Sequence, residues 1–471
     1  MSEVQRYMLD LGLDPNDPRA RRDVAVICID NGLLNDAFHL LSKVTHPVPE
    51  SAQLFKRLAE SFCAASDFNS AEEVWLAAQL SFPEDPALQA ELGKFFRTRE
   101  NYPEALSWLA RSLENRPGDA LTQEAYGTTL LETNQIDQAI HHFETARRLG
   151  LNSPECLCRL GTAYLSKGNL KEGFALYEHR FNISFFNSKR ALPACPIPIW
   201  KGESLAGKTI LILPEQGKGD NIQFIRYSQL LARQGAKVWM AADASLRSLF
   251  ETVPSIDRVL SAGDHVVTDF LCPLMSLPNR LGTTLDTIPA AVPYLAPPHR
   301  VTLPRRSKGT LGIGLIWKSS PLFVQAALRD ISIDALGSIF AAPGCTFYSL
   351  QYGSAASEIK PFLGPNVIDL TPTISSFSDT AAYLMEMDLI VTVDTAGAHL
   401  AGALGRPVWT FLPFVPDWRW MLDTTTTPWY PTMRLYRQTE RGNWNEPITR
   451  LKKDFNDFVA LRHSSSSVSG T

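Results

Sequence analysis

Small and bulky apolar positions recur along the first 185 residues with a period of 34. Ala37, Ala71, Ala105, Ala139 and Gly173 are spaced by that step. Twelve residues before each stands a second small residue: Ala25, Ala59, Gly93, Gly127 and Gly161. Nine before stand Cys28, Phe62, Phe96, Leu130 and Tyr164, and four after stand Leu41, Trp75, Leu109, Phe143 and Tyr177. The reason for such a pattern is steric. Two helices about 8–10 Å apart need Ala or Gly where they cross and a bulky partner one turn away. The period predicts helix pairs over about 18–185, two of them closed by Pro83 and Pro117. Residues 1–17, with Pro15, are expected to form a loose cap that ends before Pro18.

This spacing resembles the tetratricopeptide repeat, about five of which fit in residues 1–185. The resemblance implies an α-solenoid whose concave groove takes a peptide or a partner protein. A spacer or a dimerisation surface is the other use of such an array.

The pattern then changes. Pro193, Pro196 and Pro198 mark a linker over 186–207. Short apolar runs follow at 209–213, 237–241 and 258–260, with a helical stretch at 221–234. A Pro-rich segment, 289–304, ends this part. Apolar runs resume at 311–317, 347–350, 367–370, 388–393 and 407–411, with helical stretches at 378–386, 395–404 and 447–461. Strand and helix alternate, which predicts parallel sheets with helices on their faces. The expected layout is α followed by α/β, with sheet domains at 208–304 and 305–461 and a disordered, Ser-rich tail at 462–471. Ligands of such sheets bind beyond the carboxyl ends of strands. The loops after Leu213, Trp317, Leu350, Val393 and Phe411 are therefore expected to line one crevice.

Charge narrows the partners. Lys and Arg number 45 against 49 Asp and Glu, a net charge of −4. That argues against nonspecific binding to nucleic acid or to an acidic membrane. No apolar run approaches the ~20 residues of a membrane span, and the N-terminus has no signal-peptide core. A cytoplasmic protein is expected. The seven cysteines form no Cys-x-x-Cys pair, so reduced buried thiols are expected rather than a metal site.

Two loops carry candidate chemistry. In 215–227, Gly217 and Gly219 let the backbone approach a ligand, and a helix opens behind them. Asp220, at that helix start, has two readings: a helix cap, or a general base. In 391–401, Asp394 and Thr395 stand where a strand gives way to a helix. Thr395 and the Gly397 amide suit a diphosphate, and His399 lies one turn on. Arg329 and Lys318 are candidate cations for such a group. Arg419 is a third candidate, or else a structural partner of Asp417 or Asp423.

Residues 208–460 resemble the nucleotide-sugar glycosyltransferases of the GT-B fold, above all glycosyltransferase family 9, the heptosyltransferase-like group, found with tetratricopeptide repeats in bacteria. Four segments carry the resemblance: 215–227, Tyr-Ser-Leu-Gln at 348–351, Asp-Thr-x-x-x-His-Leu-Ala-Gly-Ala-Leu at 394–404, and Leu-Pro-Phe-x-Pro-Asp-Trp-Arg-Trp at 412–420. The phrase Pro-Trp-Tyr-Pro at 428–431 accompanies them. The resemblance implies two Rossmann-like domains, the first on the acceptor side and the second binding the nucleotide sugar. It implies inverting, metal-independent transfer without a cofactor. Asp220 would be the catalytic base. Asp394, Thr395, Gly397 and His399 would hold the donor diphosphate, and Gln351 and Trp317 would lie near the nucleotide. Two features depart from the group: Ser319 stands where a glycine is usual, and 321–328 is largely apolar. The expected function is sugar transfer to an acceptor recruited by the repeats, a protein such as flagellin or another surface protein. The alternative is a non-catalytic protein-binding scaffold with a degenerate transferase domain.

Overall fold

The structure, a computed structural model, describes residues 3–44, 49–183, 196–261, 263–307, 309–321 and 326–468. Pro193 of the expected linker, residues 322–325 of the departing loop and Cys195 lie outside them. The chain divides into two compact units, 1–156 and 157–471.

The first unit is helical. It runs α1 (Glu3–Asp10), α2 (Pro18–Asp30), α3 (Leu34–Leu41), α4 (Pro49–Ala64), α5 (Phe68–Ser81), α6 (Pro86–Thr98), α7 (Tyr102–Asn115), α8 (Ala120–Glu132), α9 (Ile136–Arg148) and the start of α10 (Pro154–Ser166). The 34-residue period has the expected cause. A Cβ on Gly93 would lie 2.6 Å from Leu109 Cγ and 3.1 Å from Ala105 O. One repeat later, a Cβ on Gly127 would meet the Phe143 ring at 3.1 Å and Ala139 O at 3.3 Å. These two repeats also open on the same cap: Asp85 accepts from Ala87 and Leu88 N–H, and Asp119 from Leu121 and Thr122 N–H. Residues 3–10 differ from the loose cap expected. They form a helix, because Val4 and Met8, one turn apart, share a buried face.

The second unit holds the rest of α10, then α11 (Leu170–Tyr177) with a 3₁₀ turn, Glu178–Asn182, and two wholly parallel sheets. The first sheet has the order β3-β2-β1-β4, from β1 (Thr209–Leu213), β2 (Lys237–Ala241), β3 (Arg258–Leu260) and β4 (Phe270–Pro273). The second has the order β10-β9-β8-β5-β6-β7. Its strands are β5 (Leu311–Ile316), β6 (Cys345–Ser349), β7 (Val367–Asp369), β8 (Leu389–Val393), β9 (Val408–Leu412) and β10 (Met433–Arg437). Every residue of β5, β8 and β9 is buried, as strands covered on both faces must be. β4 and β10 were not expected. Both are edge strands, one ending in Pro273 and the other interrupted by Arg434, so neither reads as an apolar run. The last helix, Asn445–Val468, continues through most of the segment expected to lack structure. A formed helix extends cheaply, since Ser costs well under about 1 kcal/mol per residue relative to Ala.

Two helices bring the sheets together: α12 (Lys218–Phe224), after β1, and α13 (Ala396–Ala403), after β8. A Cβ on Gly219 would lie 2.8 Å from His399 Cδ2 and 3.3 Å from Ala396 Cα. Arg226, fully buried, spans the same seam. It donates to Trp429 O at 2.6 Å and to Tyr294 Oη at 2.9 Å.

Candidate functional site

Loops from the carboxyl ends of four strands converge between the sheets. After β1, Asp220 Oδ2 accepts from Gly217 N–H at 2.7 Å, and Oδ1 accepts from Arg419 Nη2 at 2.5 Å. Asp220 therefore both caps α12 and takes part in an ion pair. After β9, Arg419 also donates to Asp417 Oδ1 at 2.7 Å, and its guanidinium lies 4.3 Å from the Trp418 ring. After β5, Arg329 Nη1 lies 3.3 Å from Asp394 Oδ2, and Asp394 directly follows β8. Two arginines and three aspartates thus form one network, with Arg419 and Asp394 buried and Asp220, Arg329 and Asp417 half-buried. Burial works against the charge of Arg419, but Asp417 and Asp220 hold it cationic. Burial also opposes the Asp417 anion, and Arg419 and Arg329 outweigh it, so its carboxyl lies below the usual range. At Asp394 burial wins over Arg329, and the carboxyl is raised.

The network is not fully satisfied. Asp394 Oδ2 has Arg329 at 3.3 Å and Trp420 beside it, whereas the buried Arg419 Nε completes no hydrogen bond. Buried polar groups are nearly always bonded, so Arg419 Nε is the exception in this network.

His399 sits beside this network. Its Nδ1 is 2.9 Å from Tyr430 Oη, and its ring stacks on Trp420 at 5.1 Å. Burial, with Arg419 nearby, pushes its pKa down to about 3, so the ring is neutral. Thr395 caps α13 by accepting from Gly397 N–H at 3.2 Å. A Cβ on Gly397 would lie 2.4 Å from Ile316 Cδ1, so that glycine lets the helix pack on β5. Gly219 likewise admits His399 rather than open space.

Trp317, Lys318 and Gln351 form a second cluster, where β5 and β6 end. Gln351 Oε1 accepts from the Trp317 and Lys318 N–H groups at 3.0 and 2.9 Å, and its Nε2 donates to Lys318 O and Tyr352 O. Glu358 accepts from Trp317 Nε1 at 3.0 Å and from Lys318 Nζ at 2.6 Å. Ser319 gives its N–H and hydroxyl to Asp330 at 2.7 and 2.8 Å. Glu358, Trp420 and Tyr430 were not singled out from the sequence, and Asp417 was named there only as a possible partner of Arg419, which it is. Of these, Asp417, Trp420 and Tyr430 do lie within the motif segments 412–420 and 428–431.

Among the described residues, no group of three or more His, Cys, Asp or Glu could hold a metal ion. No described helix is long and apolar enough to cross a membrane. The six described cysteines are free.

Residues 56–120 and 126–179 match the family model of the tetratricopeptide repeat. Protein FlbA of Caulobacter vibrioides is 28% identical over 499 aligned residues, covering 98% of this chain and 82% of that protein. The glycosyl transferase family 9 structure from Veillonella parvula is 11% identical, with a TM-score of 0.42, and covers 56% of this chain and 100% of that one. YrrB, a TPR protein with an unusual peptide-binding site, is 16% identical, with a TM-score of 0.31, and covers 39% of this chain and 93% of that one.

Proposed function

We propose that this chain is a glycosyltransferase that moves a sugar from a nucleotide-sugar donor to an acceptor, and that its repeats recruit a protein as that acceptor. The observation that carries the reading is the convergence of Asp220, Asp394, Asp417, Arg329 and Arg419 from four strand ends of two facing parallel sheets. Charged groups in such a place suit a reaction in which charge moves. In the proposed step, the acceptor hydroxyl oxygen attacks the anomeric carbon as its proton passes to Asp220. The bond from that carbon to the diphosphate oxygen breaks, and its electron pair leaves with the nucleoside diphosphate. One displacement inverts the anomeric centre. A carboxylate offers about four lone-pair sites, so the bonds from Gly217 and Arg419 do not exhaust Asp220. Arg419 and Arg329 supply positive charge near the leaving diphosphate, a role that needs no metal. A solenoid in the same chain as such a site supports a protein acceptor, such as flagellin or another surface protein, handled in the cytoplasm.

One observation favours the non-catalytic scaffold instead. Lys318 and Gln351, expected at the nucleotide, spend their side chains on Glu358 and on backbone. The test is thermal stabilisation of the full chain by nucleotides and by UDP-, GDP-, ADP- and CMP-sugars without added metal. A ligand at 100 times its Kd adds about 2.7 kcal/mol, a visible shift in Tm. A hit names the donor class. No shift with any of them sinks the transferase and leaves the scaffold.

A further inference from the structure

The last repeat is formed by α10, α11 and the turn after them, and from Leu157 on it belongs to the same compact unit as the two sheets. Its bulky position, Tyr177, corresponds to Leu41, Trp75, Leu109 and Phe143 in the earlier repeats, and of the five only Tyr177 carries a hydroxyl. That hydroxyl accepts from Gln216 Nε2 at 2.6 Å. Gln216 directly precedes Gly217, whose N–H Asp220 accepts, and it holds a left-handed φ of +54°, which a non-glycine residue keeps only when its surroundings impose it.

Arg180, three residues on, grips the neighbouring residue. Its side chain is 1% exposed, and all five of its N–H bonds find acceptors. Nε and Nη2 fork onto the Glu215 carboxylate at 2.9 and 3.0 Å, and Nη2 also reaches Ser276 Oγ at 2.9 Å. Nη1 donates to Tyr177 O at 3.1 Å and to Glu178 Oε1 at 2.8 Å. Glu215 N–H in turn donates to Asn221 Oδ1, and Asn221 Nδ2 to Gly217 O, which closes the loop around Asp220. The same repeat also reaches the other half of the ion pair. The Trp418 ring, adjacent to Arg419, lies edge-on to Phe174 at 5.4 Å and is tilted against Tyr177 at 6.5 Å.

We infer that the last repeat positions the 215–220 loop against Arg419, with Tyr177 and Arg180 as positioning residues for the reaction at Asp220. An ordinary terminal repeat needs only an apolar face to close the array. Here the repeat instead spends a hydroxyl and a buried arginine on the loop that carries Asp220. The turnover consequence rests on the transferase reading, whereas the mechanical link does not.

The test uses the full chain. Loss of Arg180 would leave Glu215 buried without its partner and endanger folding, so the principal variant is Tyr177→Phe, which removes one oxygen. Tyr436→Phe is its matched control: Tyr436 Oη donates to Asp454 at 2.9 Å, at the last helix. Two readouts are taken. One is amide hydrogen exchange in peptides covering 214–224. The other is hydrolysis of the nucleotide sugars named above. In Tyr177→Phe, exchange over 214–224 should quicken about threefold or more. The kcat should fall about tenfold, with the donor KM within about twofold. Tyr436→Phe should change neither. Unchanged exchange in Tyr177→Phe overturns the inference, and so does a changed KM with unchanged kcat. If exchange quickens but the unaltered protein hydrolyses none of the sugars, the link stands and the transferase reading fails.

Discussion

Two charge clusters in the second unit, each built around a buried arginine, use similar ingredients to opposite ends. Around Arg180, two arginines face two glutamates: Arg180 bonds Glu178 and Glu215, and Arg280 bonds Glu178. Every Arg180 donor has an acceptor. Around Arg419, two arginines face three aspartates, and Arg419 Nε stays without a hydrogen bond. The first cluster is balanced in charge, although Arg280 Nε is left without a hydrogen bond. It behaves as a fixing, joining the last repeat to the sheets. The second carries one carboxylate too many. Excess buried charge opposes folding, so a fold with no use for that imbalance would lose it. Burial alone therefore does not distinguish a structural cluster from a reactive one, and neither does hydrogen bonding, since Arg280 Nε and Arg419 Nε are both unmatched; charge balance does.

The comparison can be broken by substitution. The largest expected effect is at Asp220. Asp220→Asn keeps an acceptor for Gly217 N–H but removes the base. The kcat should fall by about 10²–10⁴, while the Tm gain from bound donor is retained. Loss of the donor-induced gain as well would make Asp220 a structural cap. Next comes Arg180→Met, which should destabilise the second unit by about 3–5 kcal/mol, because Glu215 is left buried without its partner. Adding Glu215→Leu should recover most of that loss in urea unfolding. A double variant as unstable as the sum of the two single ones would deny the cluster its role as a fixing.

The repeats were legible because their signal is steric and periodic. Gly93 and Leu109 meet as the spacing requires. The central strands were legible as apolar runs, whereas β4 and β10, at sheet edges, mix in proline and arginine. The site was legible in part. Asp220, Asp394 and His399 do come to one seam, but what each touches could not be read. Asp220 and Arg419 lie 199 residues apart in sequence. Gly219 looked like an opening for a ligand, and a glycine that admits a neighbouring helix looks the same in sequence. The bond between Arg180 and Glu215 was hidden for another reason: the Pro-rich stretch between them reads as a boundary, yet the two sides are bonded to each other.

The smallest effect separates the clusters by pH. His399 sits against the second cluster and is neutral, its pKa pushed down to about 3 first by burial, then by Arg419, with Asp417 acting the other way and Arg226 and Arg329 adding to the fall. Unfolded, a histidine titrates near pH 6.5. Between these values the unfolded chain binds a proton that the folded chain refuses. Stability is therefore lost as pH falls through 6.5, by about 2 kcal/mol from pH 8 to pH 5. His142, in the repeats, is pushed down to about 4 by burial and His141, and adds a loss of the same sign in the other unit. The raised Asp394 acts oppositely, gaining a proton on folding as pH falls, and the lowered Asp417 loses stability below the carboxylate range. All three remain in a His399→Gln variant, so comparing it with the unaltered protein isolates His399. Indole fluorescence suits the measurement, since eight of the ten tryptophans lie in 157–471. The variant should be less stable at pH 8, having lost the stack on Trp420. Its further loss between pH 8 and pH 5, read by urea unfolding, should be smaller by about 2 kcal/mol. Equal losses in the two proteins would mean that the His399 ring reaches water or a proton acceptor, and that the seam between α12 and α13 is open.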